Sequence, residues 1–427
     1  MATTVPHSPF SRLTATACLL ACVLIAALAN PIRTDVAHAL SAPQPAGITP
    51  KAPVTVPEPA EATSLRICAT LPTLASLARE IGGEYVEVTA LASPSGDPYR
   101  VHADATFREC MAEADIYLRN GVGLEQGWSF ERTGPPRSRE VVPGGSGYLD
   151  ASHVAQIRET PASGQRSVAG TRHANGNPHY LLDPLNALAV AKLLEARFAS
   201  LLPAAAEEFA VRGTDFEQRL GIAMVGPALA PDYHAKSLAL LFERGDLADL
   251  LQGQGRSDEL AGWFYALLPW AGTKVVVDTR VWSYFTHRFN IRTQGILEPV
   301  VGQGSPLNHL RDMAASASDR GIGVLIATAY TSPAAIAEYT QYANAHVAVL
   351  EHQTGSSTDT TDYISMITAN VDRLVAALEA STTSAAKAPT GDGGEGEIRL
   401  PATRPAKVAV HKAADPMLTT PPSEDRK

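Results

Sequence analysis

SLRICATLPTLASLAREIGGEYVEVTAL, residues 64–91, decides the fold class. Residues 64–69 form a short strand-like run. Residues 71–81 set Leu74, Leu77 and Ile81 three and four apart, with Ala75 and Ala78 beside them, so one face of a helix is apolar. Gly82-Gly83 stops that helix. Residues 84–91 alternate as a strand does. Strand, helix and strand in this order predict a parallel sheet with helices on its faces. Such sheets bind ligands at the carboxyl ends of their strands, which directs attention to the loop 92–103.

The pattern continues on both sides of a long helical stretch. Residues 104–114 read as a helix and 116–118 as a strand ending at Asn120-Gly121. Residues 131–178 are rich in Gly, Pro, Ser and Arg and read as loop. Residues 183–202 are a strong helix, with Pro184 in its first turn and Ala187, Val190, Leu194 and Phe198 on one face. Pro203 breaks it, and 204–220 is a second long helix. A Leu-rich insert, 232–269, follows. Strands at 274–277, 295–297, 321–327 and 347–350 then alternate with helices at 282–289, 307–319, 333–343 and 363–378. The fold class is therefore α/β, two lobes each with a parallel sheet flanked by helices, bridged by one long rigid helix. The boundaries are 64–200 for the first lobe, 201–222 for the bridge and 223–380 for the second lobe.

The ends read differently. Residues 1–39 carry Arg12, then an almost wholly apolar stretch to Ala29, with small-x-small sites at 27–29 and 37–39. This is a signal peptide or an N-terminal anchor, and the protein is exported, periplasmic or membrane-tethered outside the cytoplasm. Residues 40–63 are a Pro/Ala-rich linker and 381–427 a tail of disordered composition. Cys68 and Cys110 remain once the leader is set aside, either as a disulfide or as buried thiols. A net charge of −9 with no basic run excludes a nucleic-acid partner. No HExxH, GxSxG, CxxC or phosphate loop is present, so an enzyme is not expected.

Several segments together resemble the solute-binding proteins of zinc and manganese ABC importers, the ZnuA/TroA-like group. They are the opening stretch with its Gly96-Asp97-Pro98 loop, AEADIYLRNGVGLEQGW (112–128), NPHYLLDPLNA (177–187), GTKVVVDTRVWSYFTHRFNI (272–291) and DYISMITANVDRLVAAL (362–378). The resemblance implies a divalent metal ion held in the cleft between the lobes, a membrane permease as partner, and a monomer. It also implies four ligands. His179 keeps the second of these. Tyr99 stands where the first, a His, belongs, with His102 three residues on. Thr279 stands at the third beside Asp278, and Thr361 at the fourth beside Asp362. The candidate metal set is therefore His179, His102, Asp278 and Asp362, for Zn(II), with Mn(II) or no metal as the other outcomes. Asp278 and Asp362 have competing readings as helix caps. The alternative to metal capture is a degenerate member that binds an organic solute or a protein. His234, His287, His309, His346 and His352 read as ordinary surface or core histidines.

Overall fold

The computed structural model describes residues 64–102, 104–128, 139–160, 175–299 and 304–387. The expected leader and linker, and the expected tail from 388, lie outside them. All described residues belong to one compact unit.

The first sheet holds β1 (Leu65–Ala69), β2 (Val86–Ala90), β3 (Ile116–Arg119) and β4 (Tyr148–Asp150), in the order β2-β1-β3-β4. The second holds β5 (Lys274–Val277), β6 (Arg292–Ile296), β7 (Val324–Thr328) and β8 (His346–Leu350), in the order β6-β5-β7-β8. Every pairing is parallel. The helices are α1 (Pro72–Gly82), α2 (Ala105–Glu113), α3 (Pro184–Leu201), α4 (Ala206–Val225), α5 (Ala235–Arg244), α6 (Leu247–Gly253), α7 (Gly262–Leu267), α8 (Ser283–Arg288), α9 (Leu307–Asp319), α10 (Pro333–Ala343) and α11 (Tyr363–Lys387). The two-lobed parallel α/β architecture is as the sequence predicts.

Period-two alternation sorts each strand between faces. Ile67 and Ala69 of β1 join the main core, while Cys68 between them turns outward to Phe107 and Met111. Val275 and Val277 of β5 join the same main core, while Val276 turns outward to Leu310 and Tyr339. Leu74, Leu77 and Ile81 of α1 have no exposed surface. Each contributes about 1.5–3 kcal/mol by burial. The core thus runs unbroken from one sheet to the other through α1, α3, α4 and α7. Phe209 of α4 meets Tyr85 in the first lobe, and Phe216 meets Tyr363 in the second.

Cys68 and Cys110 form a disulfide that pins α2 to β1, with Cα atoms 5.8 Å apart. Three features differ from the sequence reading. The loop-like stretch 131–178 contains β4. Strand β6 begins at Arg292, three residues before the expected start. Helix α11 runs on to Lys387, into the stretch assigned to the tail.

A buried ion pair joins the lobes. Asp183 caps α3, accepting from the Leu185 amide at 3.0 Å. The Arg288 guanidinium donates to both Asp183 oxygens, each at 2.8 Å, and to Glu243 Oε2 at 2.8 Å. Removing Asp183 takes away the α3 cap and leaves the buried Arg288 with Glu243 as its one remaining carboxylate partner. Asp183→Ala should lower unfolding free energy by about 3–5 kcal/mol, read as a fall in the urea midpoint. A loss under about 1 kcal/mol would show the pair to be dispensable.

Candidate functional site

The loop after β2 carries the first element of the site. Asp97 folds it back by accepting from the Tyr99 amide at 2.9 Å, and the Trp128 indole donates to Pro98 O at 3.0 Å. Tyr99 Oη therefore reaches His179 Nε2 at 3.4 Å, with the rings edge to face. His179 is buried, and its amide donates to Asn177 Oδ1 at 3.0 Å. Two neighbouring ligands of a tetrahedral ion, bonded at about 2.0–2.1 Å, stand about 3.3 Å apart. The phenol and imidazole have that spacing.

The second lobe supplies the facing wall. Asp278 follows β5 and is 1% exposed. One carboxylate oxygen accepts from the Thr279 amide at 2.5 Å and the Trp282 indole at 3.0 Å. The other accepts from the Thr328 amide at 2.6 Å, its hydroxyl at 2.8 Å, and the Thr331 hydroxyl. Burial pushes the Asp278 carboxyl up, and these donors oppose the shift. Five protein donors thus occupy the two oxygens. Thr279, not Asp278, caps the short turn that follows, accepting from the Val281 amide at 3.3 Å.

Of the other predicted ligands, His102 is exposed. Asp362 forms a reciprocal cap with Ser365. It accepts from the Ser365 amide at 2.9 Å, and its own amide donates to the Ser365 hydroxyl at 3.0 Å. Thr361 is exposed. Among the described residues no group of three or more His, Cys, Asp or Glu is placed to hold a metal ion. His179, His102, Asp278 and Asp362 are therefore not brought together as one ligand set.

A residue that the sequence reading set aside lies at this junction. His352 follows β8 and is 3% exposed. Neither of its ring nitrogens completes a hydrogen bond. Its ring packs edge-on against Tyr330 at 5.1 Å. Burial pushes its pKa down to about 4, against a smaller opposing pull from the Gly96 backbone and Asp97. Tyr330 in turn feels the charges of Asp278 and Asp97 and the phenol of Tyr99, and burial with these charges holds its own phenol well above the usual range. Tyr99 thus meets His179 in one ring pair, and Tyr330 meets His352 in another. Beside them a cavity of about 350 Å³ is lined by Asp97 and Arg100 from one lobe and Asp278, Thr279, Glu298 and Thr331 from the other. No motif flags His352. Its burial comes from lobe contacts distant in sequence.

Two parallel α/β lobes with one shared core, facing each other through the loops at their strand ends, define a two-lobed binding protein. The sequence matches the family described as zinc-uptake complex component A, periplasmic, over residues 67–222 and 254–377. The chain belongs to that family. No curated protein sequence matches it. Among solved structures, that of ZnuA is similar at a TM-score of 0.53, with 17% identity over 74% of this chain and 99% of that one. The periplasmic zinc-binding protein TroA from Treponema pallidum gives 0.52, with 18% identity over 74% and 99%. The Mn-bound periplasmic metal-binding protein from Candidatus Liberibacter asiaticus gives 0.52, with 14% identity over 73% and 98%. At these identities the likeness concerns the fold.

A histidine held neutral by burial makes stability depend on pH. The unfolded chain takes up the His352 proton near pH 6.5, and the folded chain only near pH 4. Stability is full above the unfolded value and is lost as pH falls toward the folded one. Between neutral pH and about pH 4.5, His352→Leu should lose roughly 2 kcal/mol less stability than the parent in urea unfolding. Parallel pH slopes for the two would contradict this assignment.

Proposed function

We propose that this protein captures a divalent metal ion between its lobes and delivers it to a membrane permease of an ABC importer. It works by binding rather than catalysis, outside the cytoplasm. The observation that carries this reading is the Tyr99–His179 pair at ligand spacing, with His179 in the segment that resembles the family and Tyr99 in place of its usual His. His352 extends the donor supply with an imidazole that stays neutral at physiological pH, the state a metal requires. Zn(II) suits two imidazoles and a phenolate oxygen, since the ion itself lowers the pKa of a bound oxygen donor. Mn(II) would need more oxygen than these residues offer. The Cys68–Cys110 disulfide fits an oxidising compartment. No helix among the described residues is long and apolar enough to cross a membrane.

His102, Asp278 and Asp362 enter this reading differently. Asp278 acts on the second lobe by fixing the Thr328–Thr331 turn. His102, which is exposed, would join the set only if the segment 99–102 turned inward, and Asp362 only if it gave up its cap. The saturated state of Asp278 favours a second reading, in which the cavity takes a small polar organic solute with no metal.

Calorimetric titration of the chelator-stripped full chain separates the two. One-to-one Zn(II) binding, weakened at least ~100-fold in both His179→Ala and His352→Ala, is the expected result. No heat with Zn(II) or Mn(II) would overturn metal capture and favour the organic solute. Loss in His179→Ala alone would remove His352 from the set.

A further inference from the structure

His179 opens a short turn, its carbonyl accepting from the Leu182 amide at 3.2 Å and its amide donating to Asn177 Oδ1 at 3.0 Å. Both of its sequence neighbours are in addition fixed to one residue. Asn120 Nδ2 donates to Pro178 O at 3.0 Å, and the Tyr180 hydroxyl donates to Asn120 O at 2.7 Å. Asn120 has no exposed surface. Its amide is accepted by Glu125 Oε1 at 2.7 Å and Thr70 Oγ1 at 3.0 Å, and the next amide, Gly121, by Glu125 Oε2 at 3.1 Å. Glu125 is itself fully buried and paired with Arg119 at 3.3 Å.

Two costs accompany this arrangement. Asn120 Oδ1 is buried with no partner, an unfavourable state for a polar atom. Gly121, Val122 and Gly123 all take positive φ, at 78°, 54° and 79°. For Val122, a β-branched residue, that is a strained conformation. The left-handed run returns the chain so that Glu125 can close on the Asn120 and Gly121 amides, as carboxylates do in backbone nests. An apolar residue at 120 would avoid the unpaired oxygen, but it could not hold Pro178.

We propose that Asn120, set by the Glu125 carboxylate and the strained turn between them, is the positioning residue that holds His179 at its distance from Tyr99. The proposal rests on the metal-capture reading for its purpose, but the positioning itself can be measured without metal. Asn120 touches no substrate. It acts by fixing the residues on either side of the ligand.

The test uses the full chain with labelled histidine imidazoles, observed by NMR without metal and then titrated with Zn(II). Three variants are compared with the parent. Asn120→Ala and Asn120→Asp each remove the donor to Pro178, and Tyr180→Phe removes only the hydroxyl. The parent should give one sharp His179 imidazole signal. In each variant that signal should split or broaden while the His352 signal stays close to the parent's and the protein still melts in one cooperative transition. Zn(II) affinity should then fall ~10–100-fold. A His179 signal unchanged in folded Asn120→Asp and Tyr180→Phe would overturn the proposal. If Asn120→Ala or Asn120→Asp fails to fold, Tyr180→Phe decides alone. If the parent binds no Zn(II), the metal reading falls, and the metal-free His179 signal still decides the positioning claim.

Discussion

The segment from Asn177 to Asp183 is bonded on both flanks, and the two lobes meet through it. From the first lobe, Asn120 holds Pro178 and Tyr180. From the second, the Tyr284 hydroxyl donates to Asn177 O at 2.8 Å, the Tyr363 hydroxyl to Leu181 O at 2.8 Å, and Arg288 closes on Asp183. The Asn177 side chain donates across to Arg280 O at 2.8 Å. A buried backbone segment must satisfy its polar groups. Here that satisfaction comes from opposite sides, so neither lobe can move away without exposing unpaired groups. His179 inherits a fixed place between the lobes as a consequence.

A second junction reinforces the first. The opening turn of α1 has backbone amides that its own helix cannot satisfy. Gln353, from the loop after β8, accepts from the Thr73 amide at 3.1 Å, and the Thr73 hydroxyl accepts from the Thr354 amide at 3.2 Å. Ser356 donates to Pro94 O at 2.8 Å. These contacts close the loop 351–356 over the loop 93–100, and that closure buries His352. The same approach brings Tyr99 and Tyr330 into one field. Asp278 takes the opposite role. A carboxylate with five protein donors organises the turn after β7, and its lone pairs are already engaged.

Much of the fold was legible because each buried segment repeats with its own period. The strand Lys274–Val277 and the helices Leu307–Asp319 and Pro333–Ala343 have the bounds read from pattern alone. What escaped was short or exposed. Strand Tyr148–Asp150 is three residues long, too few to show alternation, and its place is set by pairing with β3. Strand Arg292–Ile296 is an edge strand with its first three residues exposed, so no apolar rhythm marks its start. At the site, His179 was legible through its motif. His352 was not, because Glu351 and Gln353 beside it give no sign of burial, and its depth is fixed by residues 280 positions away in sequence. The partners of Asp278 were equally hidden, since Thr328 stands 50 positions from it.

Metal capture requires an ion bonded to Tyr99 and His179 together. Crystals of the full chain loaded with Zn(II), measured at the zinc absorption edge, test this most directly. The expected result is one strong anomalous peak within bonding distance of His179 Nε2 and Tyr99 Oη. Peaks confined to exposed histidines such as His102, His153 or His234, with none at His179, would contradict it.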